Sequence, residues 1–227
     1  MKQLNLKLIH SDNKKIKETD YLLILENIHN HIYANDGLSA NESLDLVINI
    51  LFIKYYDEIK NLKHFYIKSE EHIELLNGRK NNNFITRFEN LRIQTFKHFE
   101  DIFSENRKFK IKDSTLAYII KNLEKLEILK TYDLFGKAFL KYLSSAQRNS
   151  RGQFFTPDEI INFCINILKP TADQKILDPA CGSGSFLISV QNYFIKQKLK
   201  SKNNIFGIEI NSAAAKIAKL NMILLGL

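Results

Sequence analysis

The chain has 227 residues, 44% of them hydrophobic and 26% charged, and a formal net charge of +8. That is enough apolar material for one large or two small domains, and no run approaches the roughly 18 consecutive apolar residues of a membrane span. The polar stretch Met1 to Lys17 lacks the apolar segment of a signal peptide, and Cys164 and Cys181 lack the spacing of a disulfide scaffold or a zinc site.

The expected compartment is therefore the cytoplasm. The positive charge and a pI of about 9.3 suit a polyanionic partner. A chain dense in Lys, Asn and Ile also fits an AT-rich genome, so charge alone leaves nucleic-acid binding and base composition level.

Residues 1–18 read as polar and poorly packed. From Tyr21 a helical pattern begins, with Leu22, Leu25, Ile28, His29 and Ile32 on one face. Asn35-Asp36-Gly37 breaks it. Ser39 or Asn41 can cap the next helix, with Glu42 in its first turn. That helix carries Leu44, Val47, Ile48, Leu51, Phe52, Tyr55 and Tyr56; it is apolar nearly all round, which predicts a core helix of a bundle. Asn77 to Asn83 reads as a polar loop. Helices are predicted through Phe84, Phe88, Leu91 and Phe96, through Leu116 to Leu126 with Asp113-Ser114 as cap, and through Phe135 to Tyr142 after a cap at Thr131 to Asp133.

Glycine and proline shift the pattern after residue 150. Five of the eight glycines and all three prolines fall there. This places a domain boundary in the loop Ser144 to Gly152. Beyond it the sequence predicts a helix from Pro157, with Thr156 as N-cap, to Lys169-Pro170. A strand over 175–179, a helix over 184–199, a strand over 205–209 and a helix over 212–225 follow. The order helix then βαβα is the first part of a doubly wound sheet.

The run Ile176-Leu177-Asp178-Pro179-Ala180-Cys181-Gly182-Ser183-Gly184-Ser185-Phe186-Leu187 carries the most chemistry. It reads as the end of a strand buried on both faces, a glycine turn and a helix start. Asp178 brings a carboxylate to the carboxyl end of the strand. Gly182 and Gly184 allow positive φ and let the backbone pass close to a ligand. A dinucleotide site would want a third glycine where Leu187 stands. An acid-x-Ala-x-Gly-x-Gly run instead suits a cationic ligand with an amino group, S-adenosylmethionine. The plain alternative is a strand-turn-helix whose glycines serve packing alone. Glu209, at the end of the second strand, is placed to accept hydrogen bonds from ribose hydroxyls, and Gly207 permits close backbone approach. Arg151-Gly152-Gln153-Phe154-Phe155-Thr156-Pro157 reads equally as a capped helix start and as a loop over the cofactor.

Together these stretches resemble the N6-adenine DNA methyltransferases of the N-6 DNA methylase family, specifically the modification subunits of type I restriction-modification systems. The resemblance rests on Gly152 to Pro157, Asp178 to Leu187, Gly207-Ile208-Glu209-Ile210-Asn211 and Lys219 to Gly226, with weaker likeness at Ser39 to Lys54 and Leu134 to Phe139. It implies a helical bundle domain over 1–148 and an incomplete Rossmann-like methyltransferase domain over 149–227. It implies that Phe155, Thr156 and Pro157, beside Gln153, contact the methionine moiety of S-adenosylmethionine. It further implies that Asp178, Ala180, Gly182, Ser183 and Gly184 form the cofactor loop and that Glu209 holds the ribose. The family often has Thr at Ser183 and Gly at Ser185.

The family's catalytic Asn/Asp-Pro-Pro-aromatic motif is absent from this sequence, whose prolines follow Thr156, Lys169 and Asp178. No catalytic or metal residue is therefore assigned. The family's third strand, whose acid meets the cofactor's adenine, is absent too. The implied partners are DNA, a specificity subunit, a restriction subunit and a second chain that completes the sheet, whose first strand is expected to have an open edge. The alternative is a truncated, inactive form that acts only in DNA binding or assembly. An NAD-linked fold is disfavoured by Leu187.

Overall fold

In the computed structural model the described residues are 18–103, 108–129, 142, 156–199 and 204–224. Eight helices and one two-stranded sheet are seen among them: α1 Glu18–Asp36, α2 Ala40–Ile59, α3 Ser69–Leu76, α4 Asn82–His98, α5 Asp113–Leu123, α6 Asp158–Leu168, β1 Ile176–Asp178, α7 Ser185–Lys196, β2 Ile205–Gly207 and α8 Ser212–Leu224. The expected boundary loop Ser144 to Gly152, the cap at Thr131 to Asp133 and the helix before Tyr142 lie outside the described residues.

α2 is the centre of the helical part, packed against α1, α4 and α8. Its burial follows from its composition: Leu44, Val47, Ile48, Leu51 and Phe52 on one face and Leu46, Ile50 and Ile53 on the opposite one are all buried. Its start is a capping box. Ser39 Oγ accepts the Glu42 N–H at 3.3 Å and Glu42 Oε2 accepts the Ser39 N–H at 2.8 Å, so two otherwise unpaired donors are satisfied. α1 buries Tyr21, Ile24, Leu25, Ile28 and Ile32 against it. α1 stops at Asp36, and Gly37 takes the left-handed conformation (φ +67°) that ends the helix.

Several expectations change. α3 falls in a stretch without apolar periodicity: Ile73 and Leu76 are exposed and Leu75 is buried. Ionic contacts support it instead. Glu71 Oε2 accepts the Lys68 N–H at 2.9 Å, and Glu71 also pairs with Arg87 at 2.8 Å. The N-cap of α5 is Lys112, not Asp113-Ser114, and no side chain of its own caps it. Asp36, at the end of α1, does so from a distance. Its carboxylate accepts the Lys112 N–H at 2.7 Å and the Thr115 hydroxyl at 2.6 Å. At the N-cap before α6 stands Pro157 rather than Thr156.

β1 and β2 pair in parallel, with Ile176, Leu177 and Asp178 opposite Ile205, Phe206 and Gly207. Both strands are shorter than expected, and Glu209 lies two residues past β2. β1 is not buried on both faces either. Ile176 and Ile205 pack on Ile161 and Ile165 of α6 and Val190 and Phe194 of α7, whereas Leu177 is 57% exposed. With helices α6 and α7 on one face, alternate side chains on the other stay open to solvent.

α8 belongs to both parts of the chain. It follows β2, yet Ile217, Leu220 and Ile223 are buried in the core formed by α1, α2, α4 and α5. Lys216 pairs with Asp45 of α2 at 2.9 Å and Lys219 with Asp101 at 3.2 Å. No helix of the described residues is long and apolar enough to cross a membrane.

Candidate functional site

β1 delivers Asp178 to the start of the glycine turn. Its Oδ1 accepts the Ala180 N–H at 3.1 Å, a local bond that tightens the turn. The backbone then pairs with the segment after β2: the Ile208 N–H donates to Asp178 O at 2.9 Å and the Cys181 N–H to Ile208 O at 3.0 Å. The two strand ends are thereby held side by side, and Glu209 faces the turn.

The glycines serve different needs. Gly182 (φ +55°) is in the left-handed region that favours glycine, and no atom lies within 4 Å of the position a Cβ would take, so the space beside it is open. Gly184 (φ +88°) caps α7 and lies against α8, where an added Cβ would stand 3.2 Å from Ala218 Cβ. At Gly207 a Cβ would come within 2.8 Å of both Cys181 Sγ and Leu187 Cδ1, which bears out the expected close approach in β2.

Glu209 joins two turns. Oε2 accepts the Gly182 N–H at 2.9 Å and Oε1 accepts the Asn211 N–H at 2.7 Å. Asn211 Oδ1 in turn accepts the N–H groups of Ala213 and Ala214, at 3.0 and 3.1 Å, and caps α8. A carboxylate offers about four acceptor positions, so Glu209 keeps capacity for further donors. The surroundings are anionic. Burial pushes the Cys181 thiol above its ordinary range, and the nearby Asp178 and Glu209 carboxylates push it further.

Asp178, Ala180, Gly182, Gly184 and Glu209 are thus brought together by backbone and carboxylate bonds. Ser183 is tied in through its carbonyl, which accepts from Asn221 Nδ2 at 3.0 Å. Thr156 and Pro157 sit exposed before α6 and make no hydrogen bond to the turn among the described residues. Gln153 and Phe155 lie outside those residues. Sequence reasoning assigned no role to Ile210, which is fully exposed beside Glu209, or to Ala218 and Asn221 on α8. The cap at Asn211 was within reach, since Asn before an apolar-periodic run marks a helix start. A cavity of about 430 Å³ opens between β2 and α8, reaching from Cys181 and Glu209 to Met222 and Asp101.

Residues 130–227 match the family model described as N-6 DNA Methylase. That segment belongs to the N-6 DNA methylase family. It contains the glycine turn, Glu209 and α8. The chain is 38% identical over 97 residues to the type I restriction enzyme MjaVII methylase subunit of Methanocaldococcus jannaschii, covering 42% of this chain and 17% of that protein. It is 31% identical over 170 residues to the type I restriction enzyme MpnII methylase subunit of Mycoplasma pneumoniae, covering 72% of this chain and 30% of that one. The second match is too long to fit within the family segment, so it takes in part of the helical region. The chain spans less than a third of the length of either relative. The crystal structure of the type I restriction-modification methyltransferase subunit from Streptococcus thermophilus superposes with a TM-score of 0.65 at 16% identity, covering 93% of this chain and 57% of that one, which shows a shared fold.

Proposed function

We propose that this chain is the methyl-donor-binding part of an adenine-N6 DNA methyltransferase of a restriction-modification system. The β1–α7–β2–α8 unit is read as the opening of a Rossmann-like methyltransferase domain over 149–227, set behind a helical domain over 1–148. The observation that carries the reading is the geometry of the turn. Two carboxylates, Asp178 and Glu209, bracket a glycine loop that is open beside Gly182. Such a site favours a ligand with positive charge and hydroxyl donors over a pyrophosphate, which would meet repulsion there.

S-adenosylmethionine fits these groups and, when bound, supplies an electrophilic methyl on a sulfonium. Asp178 and the turn would favour its cationic amino acid end. Glu209 would accept from the ribose hydroxyls with the acceptor capacity its two backbone bonds leave. Ile210, with its side chain fully exposed next to Glu209, offers an apolar surface for the adenine ring. Thr156 and Pro157, with Gln153 and Phe155, are read as the loop over the methionine moiety. DNA, a specificity subunit and a restriction subunit are the proposed partners. The target base would be held by an Asn/Asp-Pro-Pro-aromatic motif, which these 227 residues do not contain.

Calorimetric titration of the purified chain with S-adenosylmethionine tests the reading. Saturable binding is expected, weakened at least tenfold by Asp178→Ala and by Glu209→Ala. Absence of binding, or preferred binding of NAD, overturns it. The chain alone is expected to transfer no labelled methyl to DNA.

A further inference from the structure

The glycine turn has a second support that lies far along the chain. Asn221, 4% exposed in the middle of α8, donates its side-chain amide to Ser183 O at 3.0 Å. The Ser183 carbonyl and the Gly184 N–H belong to one planar peptide unit. The Gly184 N–H donates to Cys181 O at 2.8 Å. That unit is therefore held at both ends, by Cys181 on one side and by Asn221 on the other.

This matters because of the residues around it. Gly182 and Gly184 both have positive φ, and glycine moves between conformations at little cost. A turn built on two glycines can rotate the intervening peptide, which would turn the Ser183 carbonyl away from Asn221 and the Gly184 N–H away from Cys181. Rotation requires loss of both bonds, one of them to a buried amide. α8 itself cannot easily shift to follow. Ile217, Leu220 and Ile223 are buried in the helical core, Lys216 pairs with Asp45, and Ala218 presses on Gly184.

We propose that Asn221 is a positioning residue for the methyl-donor turn: it transmits the fixed position of α8 to the Ser183–Gly184 peptide and holds the turn in its ligand-ready form. The inference rests on the methyl-donor reading of the turn. It predicts that the helical bundle, which contributes no atom to the turn, still governs ligand affinity through α8.

The test uses the full chain with Asn221→Asp, which keeps the shape and loses the donor, and Asn221→Leu. Ile28→Val, a core change on α1, which packs on α2 and α5, is the stability control. Three quantities are read: thermal midpoint, the exchange rate of the Gly184 amide without ligand, and the Kd for S-adenosylmethionine. Both Asn221 variants should accelerate Gly184 exchange and raise Kd roughly 5- to 10-fold, the scale set by one lost hydrogen bond to a buried partner. The control should lower the midpoint and leave Kd within about twofold, because its effect is on global stability. If the wild type binds no S-adenosylmethionine, the methyl-donor reading fails, and Gly184 exchange alone decides whether Asn221 braces the turn. If the wild type binds and either folded Asn221 variant keeps its Kd, the inference is overturned, whatever happens to exchange.

Discussion

Gly207→Ala isolates a single physical effect. The residue is in β2 and its backbone is not in the left-handed region, so alanine meets no conformational strain there. By itself the change should stabilise the chain by ~0.4–1 kcal/mol through the unfolded state. The packing opposes it. The new Cβ would lie 2.8 Å from Cys181 Sγ, 2.8 Å from Leu187 Cδ1 and 3.2 Å from Cys181 Cβ. Leu187 can move its far end, whereas Cys181 is fixed by the bonds of its own N–H and carbonyl to Ile208 and Gly184. Overpacking of this kind costs ~1–3 kcal/mol. The net expectation is a loss of about 0.5–2 kcal/mol. Cys181→Ala removes the sulfur and should relieve part of it, so the double variant should be more stable than the sum of the singles by ~0.5–1.5 kcal/mol. Urea unfolding of the four proteins measures this directly. Should Gly207→Ala equal or exceed the wild type in stability, or should the two changes add without coupling, the close approach of β2 to the turn is not what requires glycine.

Two further outcomes follow from the helical part. Asp36→Ala leaves the Lys112 N–H and the Thr115 hydroxyl without their acceptor and should cost about 1–2 kcal/mol in thermal or urea unfolding, with Thr115→Val losing only a fraction of that; a loss no larger than that of an ordinary surface change would refute the long-range cap. The second concerns acid. Burial holds the His29, His31 and His72 imidazoles below their ordinary value of 6.5. The unfolded chain then takes up protons near pH 6.5 that the folded chain binds only at lower pH, so this contribution is fully present above that value and is lost as pH falls below it. Urea midpoints should decline between pH 7.5 and 5.5, and His29→Gln should flatten part of the slope; a level profile in the wild type would count against burial as the cause.

How far the sequence carried depends on what each element rests upon. α2 was legible because apolar residues crowd every side of it and Ser39 and Glu42 mark its start. The glycine turn was legible because positive φ at Gly182 and Gly184 is a local demand, met by few residues. α3 was not, since an Arg87 distant in sequence and a local Glu71 support it in place of an apolar stripe. The cap of α5 was misplaced for the same kind of reason: the acceptor is Asp36, 76 residues before the Lys112 donor. Burial of β1 was overstated because a continuous apolar run does not reveal which of its faces has a neighbour, and here the face that carries Leu177 is left exposed.

The residues alone determined the order of elements after residue 156, the acid and glycine chemistry of the turn, and the family that it resembles. These are written in short contiguous stretches, where backbone freedom and side-chain charge act over a few residues. Only the tertiary structure decided that Glu209 bonds the turn as well as standing beside it, that Gly184 and Gly207 are required by packing against Ala218 and Cys181, and that α8 ties the turn to the helical core through Asn221. Those facts depend on distances between segments far apart in the chain, and such distances are set by how the helices pack rather than by any local pattern.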